Sequence, residues 1–249
     1  MSSTKKTSLK RTVVCMAIAL TVAIGLGAGF INLQSNATPN PAPGQQNTID
    51  SDGFPEVDWE YWQDINPDVV GWITIPDTNI NYPIMQAFES DPEYYLKHDI
   101  YKNWNPWGVP FLDVQCKDRG LFSSFNAVVY GHNMLDGSMF EHLVNYSDSN
   151  FAEAHRDIYL QTPTTKKIYR VYAADVVRGT DPIKRCNFDD VADYRSWRDL
   201  RFEDSQMKLS NDASHVSRTI TLCTCSHNYW KNERTIVYAS PIEDARNSK

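Results

Sequence analysis

The sequence predicts a mainly β domain, a β-barrel interrupted by a few helices. Eight short stretches rich in β-branched and aromatic residues are joined by irregular connections, a pattern typical of barrels. Helical patterns are confined to Val57–Asp64, to a short stretch that begins at Phe140 and to Val191–Leu209. A chain of 249 residues without internal repeats fits one such domain with extensions.

Each element can be justified in chain order. The first helix, Val57–Asp64, is stopped by Asn66-Pro67. The predicted strands then follow at Val69–Ile75, Asn79–Met85, Val109–Val114, Ala127–Tyr130, Ile158–Gln161, Lys167–Val177, Arg218–Thr224 and Thr235–Ala239. Turn residues at 76–79 and 163–165 indicate two hairpins. The late helix has one apolar face and lies next in sequence to the strand at 218–224.

The N-terminal residues predict a membrane anchor. Residues 12–33 contain no charge and meet the length of about 20 residues that a spanning helix requires. Four basic residues within 1–11 predict a cytoplasmic tail, so the body would lie outside a single-pass cell-membrane anchor. The alternative is a cleaved signal peptide, although its apolar region would exceed the usual ~7–15 residues. Residues 34–53 read as a flexible stalk and 54–249 as the folded domain.

The charge of the body excludes some partners. The whole chain has a net charge of −7, but the only charged residues before Asp50 are four basic ones. The remainder therefore carries 20 basic and 31 acidic groups, a net charge of −11. Nucleic acids and anionic lipids both demand a basic surface, so neither is expected as the main partner.

The five cysteines do not predict a disulfide framework. Cys15 lies within the predicted anchor, and the other four lie in the body. Cys223 and Cys225 are two residues apart on a predicted strand, where their side chains project in parallel and cannot bridge comfortably. A Cys116–Cys186 bridge stays open, since the spacing alone neither supports nor excludes it.

Three side chains predict covalent acyl transfer. Cys225 follows a β-branched stretch and is expected at the end of a strand. A cysteine attacks as the thiolate, and an imidazole such as that of His132 can hold the proton or deliver it to a leaving amine. A permanently charged guanidinium such as that of Arg234 can stabilise the oxyanion of the tetrahedral intermediate.

The residues around these three resemble the sortase family. Thr-Leu-Cys-Thr-Cys at 221–225, with an upstream histidine and a downstream arginine, is similar to the sortase signature. Tyr-Gly-His-Asn-Met at 130–134, Asp-Gly-Ser-Met-Phe at 136–140 and Gly-Trp-Ile-Thr-Ile-Pro at 71–76 resemble class B sortases. The resemblance spans roughly Phe54 to Ile242. It implies a closed barrel of about eight strands with an N-terminal helix. It also implies that the connection before the cysteine strand contains a helix and forms one wall of the peptide groove.

The resemblance also implies an activity. It implies a membrane-bound transpeptidase in which Cys225 is the nucleophile, His132 the proton donor and acceptor and Arg234 the oxyanion stabiliser. The substrates would be secreted proteins with a sorting motif of the Leu-Pro-x-Thr-Gly or Asn-Pro-Gln-Thr-Asn kind. The acceptor would be an amine of lipid-linked peptidoglycan or of a pilin. No metal or cofactor is implied.

Residues that bind the sorting peptide are implied less directly. The resemblance points to Leu96, Tyr130, Ile183, Cys223 and Thr224 as groove residues. Leu96 and Ile183 could equally be core residues. Two other side chains compete for the catalytic roles, because Cys223 shares a strand face with the predicted nucleophile and His227 lies two residues after it.

Three other functions compete with transpeptidation. A cysteine protease would pass the acyl group to water, although papain-like enzymes place the cysteine before the histidine, opposite to the order here. A zinc-binding module would use Cys223, Cys225 and His227, but no fourth ligand occurs at standard spacing. An inactive sortase-like scaffold would only bind peptides.

Overall fold

The computed structural model describes residues 48–180, 184–226 and 232–243, with backbone only for 225 and 226. The helices are α1 (Trp59–Ile65), α2 (Gly120–Ser123), α3 (Ser149–Ala154) and α4 (Val191–Asp204), with 3₁₀ turns at Tyr94–Leu96, Val114–Cys116 and Glu141–Ser147. The strands are β1 (Val69–Thr74), β2 (Asn81–Gln86), β3 (Phe111–Leu112), β4 (Asn126–Tyr130), β5 (Asp157–Thr162), β6 (Thr165–Arg178), β7 (Met207–Lys208), β8 (Thr219–Ser226) and β9 (Glu233–Pro241).

Eight of these strands close into a barrel, which confirms the predicted fold class. Their order is β5-β1-β2-β3-β4-β8-β9-β6, and β6 returns to pair with β5. The pairs β2–β3 and β4–β8 are parallel and the others antiparallel. The two-residue edge strand β7 pairs with Ala173 and Ala174, beyond the point where β5 ends along β6.

Local sequence accounts for the main helices. Asp58 caps α1 by accepting a hydrogen bond from the Tyr61 amide at 3.0 Å, and Asp190 caps α4 by accepting one from the Asp193 amide at 2.9 Å. Such side-chain acceptors satisfy amides that have no partner inside the helix. α4 ends at Asp204, five residues before the predicted end, because the chain turns there to form β7. The helix predicted from Phe140 is a 3₁₀ segment.

Three apolar clusters hold the elements together. The largest includes the inward alternate residues of the strands, for example Ile84, Ile220 and Val237, and side-chain alternation along a strand explains this pattern. A second cluster packs α4 against the outer face of β6, β8 and β9, with Tyr172, Tyr194, Trp197, Ile236 and Tyr238. A third packs α1 on β1 and β2 through Trp62, Trp72 and Met85.

The end of the predicted stalk lies against the barrel. Asp50 accepts hydrogen bonds from the amides of Asp52 and Phe54, and its carboxylate forms an ion pair with Lys166 on β6. The Gln161 amide of β5 donates to the carbonyl of Pro55 at 2.8 Å. Residues 48–53, which the sequence assigns to the stalk, are thus held to the β5–β6 hairpin.

Within the described part of the chain, no helix has the length and apolar character needed to cross a membrane. The predicted tail (1–11), the predicted anchor (12–33) and residues 34–47 of the predicted stalk lie outside the described residues.

Candidate active site

The positions predicted to be catalytic meet at one end of the barrel. The parallel pair β4–β8 ends with Tyr130 opposite Cys223, and the amide of Gly131 donates to the Cys223 carbonyl at 3.1 Å. Two residues farther along β8, the backbone of Cys225 pairs with that of Arg234 at the start of β9. The register of three strands therefore brings together segments that are about 100 residues apart in sequence.

A pocket of about 260 Å³ opens at this end of the barrel. It contains six of the residues that the sequence assigns to the site, namely Leu96, Tyr130, His132, Cys223, Thr224 and Arg234. Ile183, His227 and the side chain of Cys225 lie outside the described residues. The volume suits a short stretch of an extended peptide rather than a large ligand.

His132 is held by two hydrogen bonds. Its Nε2 lies 2.8 Å from the carbonyl oxygen of Leu96, and its own carbonyl accepts from the Phe140 amide at 2.7 Å. Because a carbonyl can only accept, the Nε2 atom must carry the hydrogen in this contact. The Nδ1 atom of the neutral ring is then the one with a lone pair for proton transfer.

Gly131 lets the histidine segment pack closely on the barrel. A Cβ atom at this position would lie 2.6 Å from the ring of Phe140, which is fully buried. That distance is far below ordinary van der Waals contact, so only glycine allows this approach. The glycine of the Tyr-Gly-His sequence is thereby explained by packing next to the predicted acid–base residue.

Arg234 contributes a cation to the pocket. It is partly buried, and its Nη1 donates to the carbonyl of Glu233 at 2.9 Å. One of its five N–H donors thus fixes the guanidinium, which also lines the pocket. A fixed cation of this kind can stabilise negative charge on a reacting carbonyl oxygen.

Tyr130 lies among polar and aromatic side chains that line the pocket. Its hydroxyl donates to Oδ2 of Asp113 at 2.8 Å, and its ring lies 5.3 Å from the ring of Phe111. The Nζ atom of Lys184 lies 5.3 Å from the centre of the same ring, within cation–π range. Burial and the neighbouring carboxylate of Asp113 raise the pKa of Tyr130 above its ordinary value, so the phenol stays neutral.

The sequence interpretation missed five residues that line the pocket, namely Pro92, Glu93, Phe111, Asp113 and Lys184. Phe111 and Asp113 lie within a predicted strand. Side-chain alternation along the strand could have shown that the two share a face, but not which residues that face would contact. Lys184 reaches Tyr130 from a segment more than 50 residues away, for which no local pattern exists.

The helix before the cysteine strand lies behind the site. α4 packs on the outer face of the barrel against the cluster that contains Cys223, which is 2% exposed. Among the described residues none of α4 lines the pocket, and Lys184, which precedes the helix, does. The connection before the cysteine strand thus contributes Lys184 to the pocket, while α4 itself packs behind the site.

No group of three histidine, cysteine or acidic residues is arranged to hold a metal ion in residues 48–180, 184–226 and 232–243. Of the set considered for zinc, only Cys223 has a described side chain.

Comparison with known proteins yields one consistent family. A family described as Sortase domain matches residues 73–242. Sortase B of Listeria monocytogenes is 34% identical over 163 residues, which cover 66% of this chain and 65% of that relative. The chain thus spans slightly less than two thirds of the length of this curated relative.

Two solved structures have a similar fold. A mutant form of Clostridium perfringens sortase B has a TM-score of 0.67 at 27% identity, covering 73% of this chain and 85% of that one. A complex of Staphylococcus aureus sortase B with a substrate has a TM-score of 0.63 at 29% identity, covering 74% of this chain and 83% of that one.

Proposed function

This chain belongs to the sortase family as a class B member, and we propose that it is a cysteine transpeptidase acting on cell-wall sorting substrates. The observation that carries the proposal is the β8–β9 register, which pairs Cys225 with Arg234 beside the pocket that His132 lines. The relation to a sortase B solved with a substrate supports a peptide as the occupant of this pocket.

The first half-reaction forms a thioester. The thiolate of Cys225 attacks the carbonyl carbon of the threonine in the sorting motif, and Arg234 stabilises the resulting oxyanion. The C–N bond then breaks as His132 gives its proton to the departing amine. The nucleophile now carries the acyl group, and the C-terminal fragment leaves.

The second half-reaction returns the enzyme to its starting state. An amine of lipid-linked peptidoglycan attacks the thioester while His132 accepts the proton that the amine loses. The C–S bond breaks and the thiolate of Cys225 is restored. The Leu96 carbonyl accepts the Nε2–H in both halves, so Nδ1 is the atom that gives and receives the proton.

We assign the sorting peptide to the pocket wall formed by Leu96, Phe111 and Tyr130. These side chains offer an apolar face to an extended peptide, and Thr224 and Lys184 add polar groups at its edge. Ile183 and Cys223 are included in the proposed binding surface as neighbours of Lys184 and Thr224.

Residues 12–33 would anchor the enzyme in the cell membrane, with residues 1–11 inside and the catalytic domain outside. Protease digestion of intact cells should then remove a C-terminal tag while leaving a membrane-bound N-terminal fragment. Release of the whole chain into the medium would instead support cleavage near residues 35–37.

The reaction can be tested by trapping the acyl-enzyme. Purified protein is mixed with a panel of sorting peptides, and mass spectrometry of tryptic fragments is expected to find the acyl group on Cys225. A Cys225→Ala variant is expected to form no adduct, and an adduct in this variant would transfer the role to Cys223. A protein that forms no adduct with any peptide would be a binding scaffold.

The acceptor is identified by adding amines to the trapped acyl-enzyme. A peptidoglycan-type amine is expected to accept the acyl group faster than water does, which distinguishes a transpeptidase from a protease. Faster collection by a pilin lysine peptide would assign the enzyme to pilus assembly. One equivalent of bound zinc in the purified protein would overturn the thiolate mechanism.

A further inference from the structure

Two cysteines away from the catalytic strand are buried in the same apolar cluster. Cys116 ends a 3₁₀ turn after β3, and Cys186 lies in the segment that leads to α4. The two side chains are 1% and 3% exposed, and neither is bridged in this structure.

The segments that carry the two cysteines are fixed to one another. The side-chain amide of Asn187 donates to Oε1 of Gln115 at 3.1 Å, and that of Asn126 donates to the carbonyl of Arg185 at 2.8 Å. The Sγ of Cys116 lies 3.6 Å from the carbonyl oxygen of the same Asn126. Hydrogen bonds thus join the segment around Cys116 to the segment around Cys186.

The two thiols also influence each other's ionisation. Interaction with the Cys186 thiol lowers the pKa of Cys116, and interaction with the Cys116 thiol together with burial raises the pKa of Cys186. Two buried thiols in one cluster, on segments joined by hydrogen bonds, form a pair that can be oxidised.

We propose that Cys116 and Cys186 are the site of a structural disulfide, formed as the exported chain folds. This inference rests on the proposed location of the domain outside the membrane, where disulfides persist. The oxidant is a thiol oxidoreductase that carries an exchangeable disulfide. One protein thiolate attacks that disulfide, the second displaces the donor, and the donor leaves as a dithiol while the protein gains one S–S bond.

The cross-link would brace one wall of the pocket. Cys186 lies two residues after Lys184, whose ammonium sits over the Tyr130 ring. Cys116 lies three residues after Asp113, which accepts the hydrogen bond of the Tyr130 hydroxyl. The bond would therefore join two segments that both contact Tyr130, one at its ring and one at its hydroxyl, and it would close a loop of 70 residues, from 116 to 186.

Peptide mapping tests the proposal directly. The reduced, unfolded chain is refolded in a buffer of oxidised and reduced glutathione, then denatured, alkylated without reduction and digested with trypsin. We expect the peptide 103–117 to be linked to the peptide 186–195, while the peptide 219–231 carries alkyl groups on both of its cysteines. Alkylation of both Cys116 and Cys186, or a link that includes 219–231, would overturn the proposal.

A thermal measurement gives a second readout that needs no digestion. Protein refolded with glutathione is expected to melt roughly 5–10 °C above protein refolded with excess reductant, because the cross-link restricts the unfolded chain. The matched control is the double variant Cys116→Ala/Cys186→Ala, for which the two melting temperatures should coincide. An equal difference in this variant would assign the effect to other thiols and reject the bridge.

These outcomes are independent of the proposed activity. The refolded samples are also assayed with the sorting peptide panel, so a missing bridge in an active enzyme rejects the disulfide alone. A bridged protein without turnover rejects the transpeptidase and leaves the disulfide in place.

Discussion

Cys225 lies directly opposite Arg234 in the antiparallel ladder of β8 and β9. Residues opposed in this way are nearest neighbours across two strands, so the backbone register itself brings the cysteine and the guanidinium together. Only eight residues lie between them in sequence, so the chain reverses direction over a short connection. The functional predictions below depend on this register and on the histidine segment beside it.

Replacing Arg234 with alanine should lower kcat/KM for a sorting peptide by about 10²–10³-fold, since an oxyanion donor is lost. Arg234→Lys should restore only part of this, because lysine keeps the charge but not the planar set of donors. Steady-state kinetics on a quenched peptide measures both. Arg218→Ala is the matched control, because Arg218 lies at the other end of the same strand ladder and donates to the carbonyl of Ser123. Equal losses in the two alanine variants would contradict the role of Arg234.

His132→Gln should lower turnover by about 10²–10⁴-fold while preserving the fold. The glutamine amide can still donate to the Leu96 carbonyl, as Nε2 does now at 2.8 Å, but it cannot exchange a proton. Melting temperature and turnover are measured on the same sample. A variant that keeps its activity would contradict proton transfer through Nδ1. A variant that unfolds would contradict the expectation that glutamine can replace the hydrogen bond to Leu96.

Gly131→Ala should disturb the site through packing. The new methyl group would meet the Phe140 ring at 2.6 Å, and overpacking of this kind typically costs about 1–3 kcal/mol. We expect a lower melting temperature and a lower kcat, because the backbone that carries His132 must shift. A second change, Phe140→Leu, should relieve part of the loss, and a double-mutant cycle measures the coupling. Strictly additive effects would show that the two residues do not clash.

Two buried threonines should respond in opposite ways to the isosteric change to valine. The Thr221 hydroxyl donates to Oδ1 of Asn126 at 2.7 Å, so Thr221→Val should cost about 1–3 kcal/mol. The Thr235 hydroxyl is buried without a hydrogen-bond partner among the described residues, and removing it should leave stability unchanged or raise it. Urea denaturation of both variants gives the comparison. A larger loss at Thr235 than at Thr221 would contradict this assignment.

Local sequence patterns predicted most of the strands, but not the residues at which they begin and end. The strand predicted at Val109–Val114 is reduced to Phe111–Leu112, since Pro110 has no amide hydrogen and Asp113 starts a 3₁₀ turn by capping the Gln115 amide. β7 was not predicted, because a strand of two residues exists only where the long β6 offers a free edge next to the end of β5.

The sequence by itself determined the family, the barrel class and the identity of the residues proposed as nucleophile, acid–base and cation, because each lies in a short motif whose chemistry is local. Tertiary structure alone decided which nitrogen of His132 is occupied by Leu96, why position 131 must be glycine, and that Asp113 and Lys184 meet at Tyr130. It also decided that Cys116 and Cys186 are buried in the same cluster. Such contacts join distant segments through packing and strand register, and these are properties of the closed barrel that no short stretch of the chain contains.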